Sequence, residues 1–193
     1  MQDESGGRLL KNHRIDQRPI YYMVLAALFA ALTAVGAFIK IPFYPVPLTL
    51  QTFFTMLAAM VLPPLWAACS QLLYLGVGLI GLPVFANGGG LVYIIQPTFG
   101  YLVLLPLLAF FTATILKSSR SNLHVFVIIF SAQLVHLLGG AVWLLVNLSL
   151  TAGNSISFAK ALMIGTIIFL PASVVKTLAL VWMKGKLDVV LFR

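Results

Sequence analysis

A lysine stands at position 176 in otherwise apolar sequence, within Phe169-Leu-Pro-Ala-Ser-Val-Val-Lys176. The four acids of the 193-residue chain are Asp3, Glu4, Asp16 and Asp188, so no carboxylate between Arg18 and Leu187 can pair with it. A lysine at membrane depth costs several kcal/mol, from roughly 3 upward, and marks a functional position by default. Its counter-charge must be a ligand, or the amine must be deprotonated or solvated. The chemistry this suits is an electrostatic clamp for an anion. Phe169, Ser173 and Lys176 stand at i, i+4 and i+7, on one helix face. Pro171 frees backbone carbonyls beside them, and irregular backbone at depth is tolerated where it lines a cavity. The competing reading is snorkelling toward the cytoplasmic interface. Lys184 lies about 12 Å further along a helix, of which a lysine side chain covers about half.

Other chemistries are excluded or weak. The distribution of acids removes a paired-carboxylate hydrolase, a carboxylate metal site and an Asp/Glu proton relay. No GxxxxGK[ST] loop is present. Cys69 is the only cysteine, which excludes an intrachain disulfide and a CxxC site. His13, His124 and His136 share no i,i+4 spacing. Ser173 and Lys176 at i,i+3 could imitate a Ser–Lys dyad, which keeps a small membrane enzyme open as an alternative. A purely structural membrane subunit is a third reading, against which the lone lysine argues.

Two loops are candidates. Gly81-Leu-Pro-Val-Phe-Ala-Asn-Gly-Gly-Gly90 offers backbone N–H donors at Gly88, Gly89 and Gly90, and in Asn87 both a donor and an acceptor suited to an amide or urea. A flexible connector is the alternative. Lys40-Ile-Pro-Phe-Tyr-Pro-Val-Pro47 is stiffened by prolines, and Phe43 or Tyr44 could cover a ligand or belong to an interfacial aromatic belt. Further on, Gln133, His136, Gly140 and Trp143 could face a cavity, or could serve interhelical hydrogen bonding and packing. Ala26, Ala30 and Ala34, and again Ala27 and Ala31, have small-xxx-small spacing, suited to a partner or to internal packing.

The elements that must position these residues follow from composition. Hydrophobic residues make up 61 % and charged residues 8 %, against roughly 25 % charged in a soluble domain. Mean hydropathy is +1.06. So little charge cannot cover a water-soluble globule, and the chain is an integral membrane protein. Apolar runs predict helices over 21–39, 48–62, 65–80, 98–116, 123–148 and 161–183, with the second and third divided at Pro63-Pro64. Arg8, Lys11, Arg14, Arg18, Lys117, Arg120, Lys184, Lys186 and Arg193 then fall on one side, and Lys40 and Lys160 on the other. This bias puts both termini in the cytoplasm and explains the net charge of +8 without nucleic acid. The expected organisation is a basic segment 1–20, a six-helix all-α membrane domain 21–183 and a tail 184–193. A cleaved signal peptide over the first helix is disfavoured, because its removal would strand the charge pattern.

Taken together, Pro45-Val-Pro-Leu-Thr-Leu-Gln51, Gly81-Leu-Pro-Val-Phe85, the glycine cluster, Pro97-Thr-Phe-Gly-Tyr101 and Phe169-Leu-Pro-Ala-Ser-Val-Val-Lys176 resemble the BioY family. These are biotin-binding S components of energy-coupling factor (ECF) vitamin transporters, and the resemblance covers about residues 21–183. It implies a biotin site near the extracellular face and no cofactor. It also implies a prokaryotic plasma-membrane location, and partnership with an EcfT-like coupling protein and two ABC-type ATPases through Ala26, Ala30 and Ala34. By the same resemblance Lys176, Asn87, Gly88, Gly89, Gly90, Tyr101 and Gln51 are substrate-binding, and the chemistry of biotin adds Ser173 and an aromatic wall of Phe43, Tyr93 or Trp143. Ala172-Ser173 stands where the family often has Gly-Asp, Gln96 and Phe99 replace glycines, and Leu102 replaces an arginine of some members. Lys176 is thereby left as the sole cation expected for a carboxylate. An S component for another small anionic vitamin is the alternative within the class.

Overall fold

A computed structural model describes residues 18–117, 121–151 and 156–191. The expected sites Arg8, Lys11, Arg14, Arg120 and Arg193 lie outside them. The described chain is helical apart from one small hairpin. Helix α1 is Arg18–Phe38; strands β1 (Lys40–Ile41) and β2 (Leu48–Thr49) follow; then come α2 (Gln51–Val61) and α3 (Pro64–Leu79). A 3-10 turn at Leu91–Ile95 precedes α4 (Phe99–Val103), α5 (Leu105–Leu116) and α6 (Asn122–Thr151). The last span is α7 (Phe158–Gly165), a 3-10 turn (Ile167–Phe169) and α8 (Leu170–Leu191).

The described residues form six helical passes. Four stretches, Pro19–Phe38, Phe99–Leu116, Asn122–Leu150 and Phe158–Lys184, are long and apolar enough to cross a membrane. The passes formed by α2 and α3 are shorter, at 11 and 16 residues. The Pro63-Pro64 division falls where expected: Leu62 is extended ahead of Pro63, and Pro64 occupies the first turn of α3, where its missing N–H costs nothing.

The structure differs from the expected elements where helices yield to site-building backbone. Leu48 and Thr49 were expected in the second helix, but they pair with β1 (Lys40↔Thr49, Ile41↔Leu48), so the proline-rich loop is a hairpin. The fourth pass breaks at Leu104, ahead of Pro106 at the start of α5. The sixth starts at Phe158 rather than 161 and is interrupted at Thr166, where φ of −133° is not helical.

The main core joins α1, α2, α3, α5, α6 and α8 around Phe29, Met56, Tyr74, Leu105, Ile129 and Leu180. One polar network inside it is fully paired. Gln71, fully buried, donates to Thr33 Oγ1 (3.3 Å) and Ser70 Oγ (3.0 Å) and accepts from Thr55 Oγ1 (3.0 Å). A second cluster of Val46, Tyr101, Leu137, Leu144 and Phe169 surrounds the site.

Candidate functional site

The hairpin, the 81–97 loop and the starts of α2, α4 and α8 converge on one cavity, closed laterally by α6. It is narrow, with a volume of about 60 Å³. Lys176 is on its wall. A helical side chain leans toward the N-terminus of its helix, which for α8 is the end nearest the hairpin. Accordingly Lys176 Nζ donates to Thr49 O at 2.7 Å and Thr52 Oγ1 at 2.9 Å. This geometry excludes snorkelling toward Lys184. It also leaves Ser173 and Lys176 unassembled as a dyad, because Nζ is turned to α2. An ammonium has three donors, so one remains after these two neutral acceptors.

The start of α2 strengthens the bias. Thr49, Gln51 and Thr52 all line the cavity, so the positive end of an 11-residue helix borders it beside Lys176. Two sources of positive potential thus border the cavity, and no acid stands in the spans to offset them.

Neutral hydrogen bonds fix the remaining polar walls. Gln51 accepts from Thr49 Oγ1 at 2.8 Å and donates to Tyr74 Oη at 2.6 Å; Tyr74 in turn donates to Val84 O at 3.1 Å. One side chain thus braces the hairpin base and the loop together. Tyr93 Oη accepts from Thr98 Oγ1 at 3.1 Å, and its ring lies 4.6 Å from that of Phe85. Gln133 donates to Thr177 Oγ1 at 2.8 Å, which donates to Ser173 O at 2.8 Å. Tyr101 donates to Gly165 O at 2.9 Å and packs on α6 where Gly140 leaves room: a Cβ there would come within 2.1 Å of the ring. For Tyr93, which sits outside the spans, burial pushes the phenol pKa upward and keeps it a neutral wall group.

Of the residues expected at the site, Lys176, Ser173, Tyr101, Gln51 and Tyr93 come together on this cavity. Asn87, Gly88, Gly89, Gly90, Phe43 and Trp143 do not line it. The glycines serve the loop's own fold. Gly88 and Gly90 have φ of +116° and +92°, and a Cβ on Gly89 would meet Leu82 O at 2.1 Å. Asn87 is exposed, its Oδ1 3.4 Å from Lys40 Nζ, which also donates to Ala86 O. These contacts latch the loop to the hairpin above the cavity. Phe43 and Tyr44 are exposed at the hairpin turn. Trp143 packs against Gly100 and donates to Gln96 O at 3.1 Å, bracing the wall from behind.

The α1 stripe is rotated from expectation. Ala26 and Ala30 are buried in the core and Ala34 is half-buried, whereas Ala27 and Ala31 are exposed. One helical residue is about 100° of rotation, so the two interleaved stripes cannot share a face.

Sequence reasoning missed Thr49 and Thr52, the anchors of Lys176. Polar residues at 49, 51, 52 and 55 in an apolar stretch were the available signal. His136, read as either a packing or a cavity residue, is on the wall.

Residues 10–191 match the BioY family. The chain is 55 % identical over 89 residues to "Probable biotin transporter BioY" of Lysinibacillus sphaericus, a match spanning 46 % of this chain and 45 % of that protein. It is 36 % identical over 166 residues to "Biotin transporter BioY" of Rhizobium etli, covering 80 % of this chain and 86 % of that one. The fold matches a crystal structure of the S-component for biotin from an ECF-type ABC transporter with a TM-score of 0.78, at 24 % identity, over 92 % of this chain and 98 % of the other. With the S-component fold and a family match along nearly its whole length, this multi-pass membrane chain belongs to the BioY family.

Proposed function

We propose that the protein is the biotin-capture subunit of an ECF-type vitamin transporter. One observation carries the reading: Lys176 Nζ is held by two neutral acceptors at the positive end of α2, on the wall of a cavity among spans without acids. A valerate carboxylate supplies the missing counter-charge through a charge-assisted hydrogen bond. Tyr93 and Tyr101 offer aromatic surface to a thioether ring, and Ser173 and Gln51 offer neutral polar atoms to a ureido group.

The remaining assignments belong to the same proposal. Both termini are cytoplasmic, the membrane is a prokaryotic plasma membrane, and the cavity opens outward under the hairpin. With no ATP-binding loop of its own, the chain works with an EcfT-like coupling protein and two ABC-type ATPases. On α1, the exposed Ala27 and Ala31 are the small pair available to such a partner, while Ala26 and Ala30 pack inside.

The test is equilibrium binding of biotin and biotin methyl ester to purified protein in detergent, with Lys176→Ala beside the unaltered chain. A clamp of this kind gives tight binding of biotin that falls by about tenfold to a hundredfold for the ester and for the variant alike. Biotin binding indifferent to both changes would remove Lys176 from the site. No binding by folded, ligand-free protein would overturn the biotin reading, and other anionic vitamins would then be screened.

A further inference from the structure

We infer that His136 is a specificity-determining residue of this cavity, its Nδ1 accepting a hydrogen bond from a ligand N–H. Resting on the biotin reading, this names the donor as a ureido N–H.

His136 is 4 % exposed and lines the cavity from α6. Its Nε2 lies 2.8 Å from Tyr101 O. A backbone carbonyl can only accept, so the ring proton is on Nε2. Nδ1 is buried and has no partner. A second proton on Nδ1 would create a buried charged donor with no acceptor, so Nδ1 is a bare acceptor. Leaving such an atom unmet is costly, and a folded site tolerates it where a ligand completes it.

The surroundings narrow the source of the donor. The ring borders two spaces, the cavity and an apolar groove between α5 and α6 on the membrane side. The groove carries the hydroxyls of Thr112 and Ser131 among apolar side chains, and neither bonds Nδ1. On the cavity walls Thr98 and Tyr101 donate to protein oxygens, Lys176 Nζ is turned to Thr49 and Thr52, and no wall donor bonds Nδ1. The ring is fixed edge-on to Tyr101, centroids 5.8 Å apart, so the acceptor is held in place before a ligand arrives. Ser173 is a neutral hydroxyl, and an imidazole nitrogen gives the cavity a second, stronger neutral acceptor.

Two substitutions separate this role from the bond to Tyr101. His136→Gln puts an amide nitrogen near the position of Nε2 and keeps that bond while deleting the acceptor. His136→Asn puts a carbonyl oxygen near the position of Nδ1 and keeps the acceptor. Calorimetric titration would use biotin and the two N-methylbiotins, each lacking one ureido hydrogen. Biotin should bind His136→Gln about threefold to tenfold more weakly than the unaltered protein, while His136→Asn keeps more of the affinity. One N-methyl isomer, already weakened against the unaltered protein, should lose nothing further in His136→Gln. Equal biotin affinity in His136→Gln, or equal loss for biotin and both isomers, would overturn the inference and leave the biotin reading intact. Failure of the unaltered protein to bind biotin would overturn the reading itself, and this inference with it.

Discussion

Gly140→Ala is the sharpest probe of how the cavity wall is held. The added Cβ would lie 2.1 Å from Tyr101 Cδ1 and Cε1 and 2.5 Å from Cζ. Ordinary carbon contacts are about 3.5–4.0 Å, so the ring must withdraw by about 1.4 Å. It cannot do so and keep its hydroxyl on Gly165 O, now at 2.9 Å. Overpacking costs about 1–3 kcal/mol and an orphaned buried carbonyl about 1–3 more. Better helix propensity returns about 1. The balance is a destabilisation of about 1–5 kcal/mol, with the ring displaced at the cavity and ligand affinity reduced. Gly76→Ala is the control. Gly76 is an exposed α3 residue with nothing within 4 Å of an added Cβ, so only the propensity gain applies. Equilibrium unfolding in mixed micelles, with biotin titration on each variant, reads both effects. If Gly140→Ala is as stable as Gly76→Ala and binds biotin equally well, Tyr101 does not rest on Gly140 and the description of this wall is wrong.

Other predictions address the braces around the site. Thr52→Val removes one of the two acceptors of Lys176 Nζ without touching the charge; biotin affinity should fall about threefold to tenfold while ester binding is unaffected. Tyr74→Phe strands Val84 O and unpairs Gln51 Nε2, and should cost about 1–3 kcal/mol in an unfolding titration. Gln71→Leu, though fully buried, should cost less than about 1.5 kcal/mol: Thr33, Thr55 and Ser70 each keep a bond to a backbone carbonyl. Lys40→Ala unlatches the hairpin from Ala86 O and Asn87, so labelled biotin should dissociate faster in a chase experiment while stability changes by less than about 0.5 kcal/mol.

What was legible in the sequence was what one-dimensional chemistry encodes. Hydrophobic run lengths and the Pro63-Pro64 pair located the helices, because a bilayer fixes span length and proline fixes breaks. Lys176 was legible because a lone charge among apolar residues is costly. The partners were not. Thr49 and Thr52 are more than a hundred residues from Lys176 and meet it only when α8 packs on the start of α2. The glycine triplet has a local explanation beside the ligand-binding one. Glycine marks backbone that side chains cannot occupy, and here Leu82 O crowds Gly89 while Gly88 and Gly90 take positive φ. The α1 stripes were degenerate in the same way: Ala26–Ala30 and Ala27–Ala31 have identical spacing, and only packing decides which turns outward.

The short third pass also has a consequence for the surrounding lipid. At 16 residues α3 is about 24 Å long, some 6 Å less than a typical hydrocarbon core. The chain that follows it exposes Leu82, Leu91, Val92 and Ile95, while Tyr93 turns inward to the cavity. This apolar rim extends the hydrophobic thickness at that edge, so the cap over the cavity is matched to acyl chains rather than to water. Bilayer thickness therefore acts on the same segment that carries Tyr93 and Val84. Nanodiscs of graded acyl length should shift the rates of biotin association and release, whereas an aqueous cap would leave them unchanged.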